Sequence, residues 1–138
     1  MAAIIKRRAG PISAAWRSIL KQPTPTGVYT PTLTGVTNIA ASTSYQGMYT
    51  RTANLVTVYG RADIDPTALT QSTIRISLPV ASDFSVILDC AGVAGWGGIA
   101  SQVGSIQADT TNNEAVLDFV AVSVANAGCW FSFMYEIK

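Results

Sequence analysis

Two aspartates, Asp63 and Asp65, stand two positions apart in the run Arg61-Ala-Asp-Ile-Asp-Pro. On an extended strand that spacing sends both carboxylates to one side, the geometry used by a divalent cation or a general acid–base pair. The chain has no histidine and no third acid nearby, so the stronger reading is a turn opening at Asp65-Pro66, its carboxylate bonding local backbone amides. Asp109 and Glu114 flank the link Asp109–Asn113 (DTTNN) and read as the tip of a hairpin, because Asn and Asp tolerate left-handed backbone. Gly92-Val-Ala-Gly-Trp-Gly-Gly superficially resembles a phosphate-cradling loop, but no strand-to-helix transition and no Lys-Ser/Thr follows it. It is expected to be a tightly bent inter-strand loop that displays Trp96. With Tyr45, Tyr49 and Tyr59 elsewhere, a displayed Trp96 is a possible ligand loop for stacking on sugars or entering a protein pocket. Cys90 and Cys129 pair if their strands are neighbours; the commoner outcome for two apolar-flanked cysteines in a small sandwich is a pair of buried free thiols.

Without histidine, every Ser-His and Cys-His pair is excluded and most metal sites with them. No spaced pair of carboxylates marks a glycosidase cleft. The expectation is a protein that is not an enzyme and needs neither cofactor nor metal. Composition points the same way. Hydrophobic residues make up 49% of the 138, and charged residues only 12%, about half the usual share. Fifteen Thr and twelve Ser stand where charges normally sit. The length suits one domain with a real core.

The net charge of +1 conceals a division: residues 1–25 carry +5, and residues 26–138 carry −4. Lys6, Arg7, Arg8, Arg17 and Lys21 all precede Pro23, while every acid lies at Asp63 or later. A basic, acid-free head on an acidic body is read as a docking arm for an acidic protein surface. The basic side chains are its electrostatic anchors; Trp16 and Leu20 are apolar ones, helped by Ile4, Ile5 and Ile19. Ser13–Lys21 has the spacing for two helical turns capped by Ser13. Pro11 and Arg17 break the apolar run that a signal peptide needs, and the uncharged stretch Gln22–Thr50 is too rich in Thr, Ser, Pro and Gly to span a membrane. Three clustered charges without a reading motif imply no specific nucleic-acid partner.

Pro23-Thr-Pro-Thr-Gly27 marks the boundary between an arm and linker over 1–26 and a body over 27–138. Beyond it the apolar period is two. Strands are expected at Val28–Asn38, an edge strand interrupted at Pro31, then at Tyr45–Arg51, Leu55–Ile64 and Thr73–Leu78. Further strands follow at Ser85–Leu88, Gly104–Ala108, Glu114–Val122 and Cys129–Ile137. About eight short, evenly spaced strands without a helix predict an all-β fold, an antiparallel jelly-roll-like β-sandwich preceded by an extended basic N-terminal arm. The last strand is bulky on both faces, as suits a central strand or one covered by a partner subunit.

Several of these segments resemble small β-rich virion proteins of tailed bacteriophages. They are Gly27–Asn38, Tyr45–Arg51, Val56–Pro66, Ile76–Phe84, Ile106–Asn113 and the aromatic ending Trp130–Tyr135. Related sandwiches serve as capsid cement or decoration proteins and as modules of tail fibres. The resemblance implies a non-catalytic structural protein, and the short arm without a shaft favours the capsid. The implied partner is the major capsid protein, with self-association into a homo-oligomer, dimer or trimer. The implied place is the capsid exterior after assembly in the host cytoplasm. The alternative is a tail-fibre or receptor-binding module recognising a host surface glycan.

Overall fold

The computed structural model describes residues 25–138. The basic arm, with the helix expected at Ser13–Lys21, lies outside the described residues. Ten strands follow one another: β1 (Thr26–Tyr29), β2 (Leu33–Thr37), β3 (Ile39–Ser44), β4 (Gly47–Thr52), β5 (Leu55–Pro66), β6 (Gln71–Ile76), β7 (Cys90–Trp96), β8 (Val103–Asp109), β9 (Glu114–Val120) and β10 (Ala127–Glu136). Every ladder is antiparallel. The all-β expectation holds, with ten strands in one curled sheet.

Alternation builds the sheet's two faces. Along β5, Val56, Val58, Ala62 and Ile64 point inward and are at most 1% exposed, while Thr57, Tyr59, Arg61 and Asp63 point out. Along β10, Cys129, Phe131, Phe133 and Tyr135 point inward, their rings stacked about one strand pleat apart. Each large apolar side chain so buried contributes about 1.5–3 kcal/mol. β10 is paired along almost its whole length with β5 on one side and β7 on the other, so the last strand is central, as expected. Gly92 makes its approach to β7 possible: a Cβ there would sit 2.4 Å from the Ser132 carbonyl oxygen.

The strand order is β1-β4-β5-β10-β7-β8-β9-β6-β2. β4 pairs with the first half of β5, and β3 with its second half. Only Asn38 separates β2, at the far edge on β6, from β3 on β5. The chain therefore crosses at Asn38 from one side of the curl to the other, and the inward faces close on a common core. The crossing needs a left-handed residue, φ 58°. The Asn38 amide donates to the Ala68 carbonyl and to Ser72 Oγ, both at 2.8 Å, and accepts from Thr67 Oγ1, which ties the β5–β6 turn to the bend.

The structure corrects four local expectations. Ser85–Leu88 is not a strand, because the Asp89 carboxylate accepts from the Ser85 and Val86 amides at 2.7 and 3.0 Å and turns the chain into a single 3₁₀ turn. Gly92–Gly98 is not a loop throughout; through Trp96 it belongs to β7, whose inward positions alternate with small outward ones, and only Gly97 and Gly98 lie beyond the strand. Asp65 opens no turn, since β5 continues through it, opposite Ala41. Val28–Asn38 is two strands, β1 and β2, with Pro31 buried between them. The hairpin turn at Asp109–Asn113 lies where expected, and another at Ala53-Asn54 joins β4 to β5, with Ala53 and Asn113 at positive φ.

Candidate functional site

The outward side chains of β5, β10 and β7 form the site. Register places Arg61 beside Trp130, and Trp130 beside Gly95. The Arg61 guanidinium carbon lies 4.6 Å from the centroid of the Tyr45 ring and 5.3 Å from that of Trp130, so the cation is held between two aromatic faces. Arg61 Nη2 donates to Asp63 Oδ1 at 2.9 Å, and the Tyr45 hydroxyl donates to Asp63 Oδ2 at 2.7 Å. The Tyr45 hydrogen bond, then Arg61, hold the Asp63 carboxyl below its usual range, and the same bond raises the Tyr45 phenol. Trp130 is seated by glycines: a Cβ at Gly97 would come within 2.4 Å of its ring. The ring is fixed in place yet 51% exposed.

Tyr59, 50% exposed, stands between two shallow apolar grooves. The groove toward β1 and β4 is lined by Val28, Met48 and Tyr49 and holds about 430 Å³. That toward β7 is lined by Val93, Gly95 and Trp130 and holds about 320 Å³. A third hollow of about 240 Å³ at the end of the face joins Leu55 and Met134 to Leu88, which is 83% exposed on its ordered turn. Solvent-facing sheet is normally polar on this side. Here the exposed surface is largely apolar and aromatic.

The remaining residues singled out above fall elsewhere. Lys6, Arg7, Arg8, Trp16, Arg17, Leu20 and Lys21 lie outside the described residues. The displayed Trp96 is corrected: it ends β7 pointing inward, 8% exposed, its ring 4.5 Å from that of Phe119. The alternation of β7 sends even-numbered residues into the core, and Trp96 goes with them. Asp63 is taken up by Arg61 and Tyr45. Asp109 accepts from the Thr111 and Asn112 amides at the hairpin tip, and Arg75 lies 3.7 Å from it and 3.4 Å from Glu114. Cys90 and Cys129 are buried free thiols. They sit opposite Tyr135 and Trp96 on the same ladder, about 20 Å apart at ~3.4 Å per residue, too far to bridge. Among the described residues no group of three or more potential metal ligands is gathered.

Sequence reasoning overlooked Trp130 as a surface residue. The signal was present in Cys129-Trp-Phe-Ser-Phe-Met-Tyr135, where strict alternation leaves Trp130 and Met134 on the face opposite three aromatic core residues. No family model, curated protein or solved structure matches the chain.

Proposed function

We propose that the chain is a non-enzymatic structural protein of a tailed-bacteriophage virion, a cement or decoration protein that docks on the capsid exterior without covalent chemistry. The observation that supports this reading is a body whose outer face on β5, β10 and β7 exposes aromatic and aliphatic side chains with no reactive group among them, as suits a subunit that packs against protein in an assembly, while the contact with the shell itself falls to the arm. In this reading the curled sheet works as a jelly-roll-like sandwich assembled in the host cytoplasm. The basic arm clamps the major capsid protein through Lys6, Arg7, Arg8, Arg17 and Lys21, with Trp16 and Leu20 as apolar anchors. The resemblance of the strand segments to virion proteins supports a place in the virion, and the basic arm favours an acidic shell surface within it. Replacing Arg7 and Arg8 together with Glu is expected to lower occupancy on capsids lacking the protein by at least about tenfold in co-sedimentation, with the unfolding midpoint of the body unchanged. Undiminished occupancy at physiological salt would overturn the arm model.

A second reading, recognition of a host surface glycan, is favoured by the Tyr45–Arg61–Trp130 stack with Asp63 beside it, since planar rings flanked by a guanidinium and a carboxylate suit a sugar. Saturable binding to host envelopes that Trp130→Ala abolishes would establish it in place of the first.

A further inference from the structure

We infer that the outer face of β5, β10 and β7 is a self-association surface whose occupant is a second copy of this chain. The argument begins with charge. An isologous contact brings each patch against its own image, so any unpaired charge meets a like charge. From Met48 across Tyr59 and Met134 to Val93 the face has no charged side chain. At its ends Arg61 is paired with Asp63 at 2.9 Å and Lys138 with Asp89 at 2.7 Å, which leaves Glu136, exposed beside Leu55 at the margin, as the face's one charge without an ion pair among the described residues. The body as a whole is acidic, −4 over residues 26–138. An acidic shell is attracted to the basic head and not to this strip, whereas a second acidic body meets its least repulsion here.

Area gives the second argument. Five strands, β1, β4, β5, β10 and β7, span about 24 Å at ~4.8 Å spacing, and seven residues run about 23 Å, roughly 550 Å² in projection. The Val86–Leu88 turn, more than half exposed at each residue, extends the face toward the ~800 Å² per partner of a standard interface. The third argument is shape. Tyr59 stands proud between two grooves, so a ridge on one copy has a hollow to enter on the other. Trp130 and Arg61, preorganised by Gly97 and Tyr45, lie at one end as anchors of the types that dominate interfaces. Such pairing is independent of any shell.

The test is the mass of the full-length protein by sedimentation equilibrium at micromolar concentration, in low and in high salt. At least twice the chain mass is expected in both, with association equal or tighter at high salt because screening relieves repulsion between acidic bodies. Met134→Glu and Val93→Glu, on neighbouring strands and already 49% and 67% exposed, are expected to weaken association at least about tenfold while keeping the native circular dichroism. Val120→Glu, exposed on β9 away from the face, should leave it unchanged. A monomer in low salt would overturn the inference. Loss of association in high salt would also overturn it, assigning the contact to the basic head of one copy on the acidic body of another. So would persistence of the oligomer in whichever of the two face variants remains folded.

Discussion

Cys90 and Cys129 show how burial decides the chemistry of a single residue. Each is at most 2% exposed, packed where β10 meets β7, and burial pushes each thiol from 9.0 up to about 12. The thiolate is the reactive species, so both groups are inert in the native protein. The Tyr135 hydroxyl behaves alike: desolvation raises it from 10.0 to about 12 while it donates to the Val80 carbonyl at 2.7 Å. Because the folded values lie above the unfolded ones, the stability tied to these neutral groups is full below about pH 9 and is lost as pH rises toward 12. Near pH 8 an aromatic disulfide reagent is therefore expected to titrate neither thiol in the native state and both after denaturation. The unfolding midpoint should fall steadily across that alkaline window. Rapid modification of either cysteine without unfolding would contradict the packing described.

At the scale of elements, the bend between β2 and β3 decides whether the sheet closes. Asn38 has two separable roles, its left-handed backbone and its amide bonds to Ala68, Ser72 and Thr67. Asn38→Ala removes both and is expected to cost about 2–4 kcal/mol, from lost hydrogen bonds and a strained φ. Asn38→Gly relieves the backbone and loses only the amide, so it should cost about 1–2 kcal/mol less than Ala. Equal costs in urea unfolding would show that the backbone geometry contributes nothing. This bend is also where reading the sequence fell short. Period two was legible for β5, β6, β9 and β10, because Val, Ile and Phe alternate there with polar residues. It was not legible for β3, Ile39-Ala-Ala-Ser-Thr-Ser44, whose small side chains bury little and whose strand character comes from its partner β5. Glycines are ambiguous at β7, because a glycine run is a loop signal whereas Gly92 here serves close strand approach. Trp96, expected on display, therefore points inward with the even-numbered residues of β7, and the exposed place belongs to Trp130, where the alternation of β10 puts it. The Asp89 turn was hidden for a related reason. Ser85-Val-Ile-Leu has strand-forming residues, and a carboxylate closing on backbone amides outweighs that preference.

At the scale of the whole molecule, the last of the described strands is the one on which the sheet depends. β10 supplies four of the buried core side chains, two of them the largest fully buried among the described residues, Tyr135 and Phe133. Its partners are remote, since Glu136 faces Leu55 and Ala127 faces Ile64. Such long-range pairing delays the reward for loop closure, so folding is expected to be slow, on the order of milliseconds to seconds. Its chain end is held as well: Ile137 N donates to the Asn54 carbonyl at 2.7 Å, and the Lys138 ammonium reaches Asp89. That ammonium, foremost, and then the Val86 amide keep the Asp89 carboxyl well below its usual range, so this clasp is complete at neutral pH and released as pH falls below the ordinary carboxylate range. A chain ending at Asn126 leaves β5 and β7 without their shared neighbour and exposes both inner faces. It is expected to show no cooperative thermal transition by calorimetry, whereas a chain starting at Pro25 keeps every described ladder and should unfold in one transition near the full-length midpoint. A cooperative transition in the Asn126-terminated chain would mean that the remaining strands close a core of their own, and β10 would then be an addition to the fold and no longer its centre.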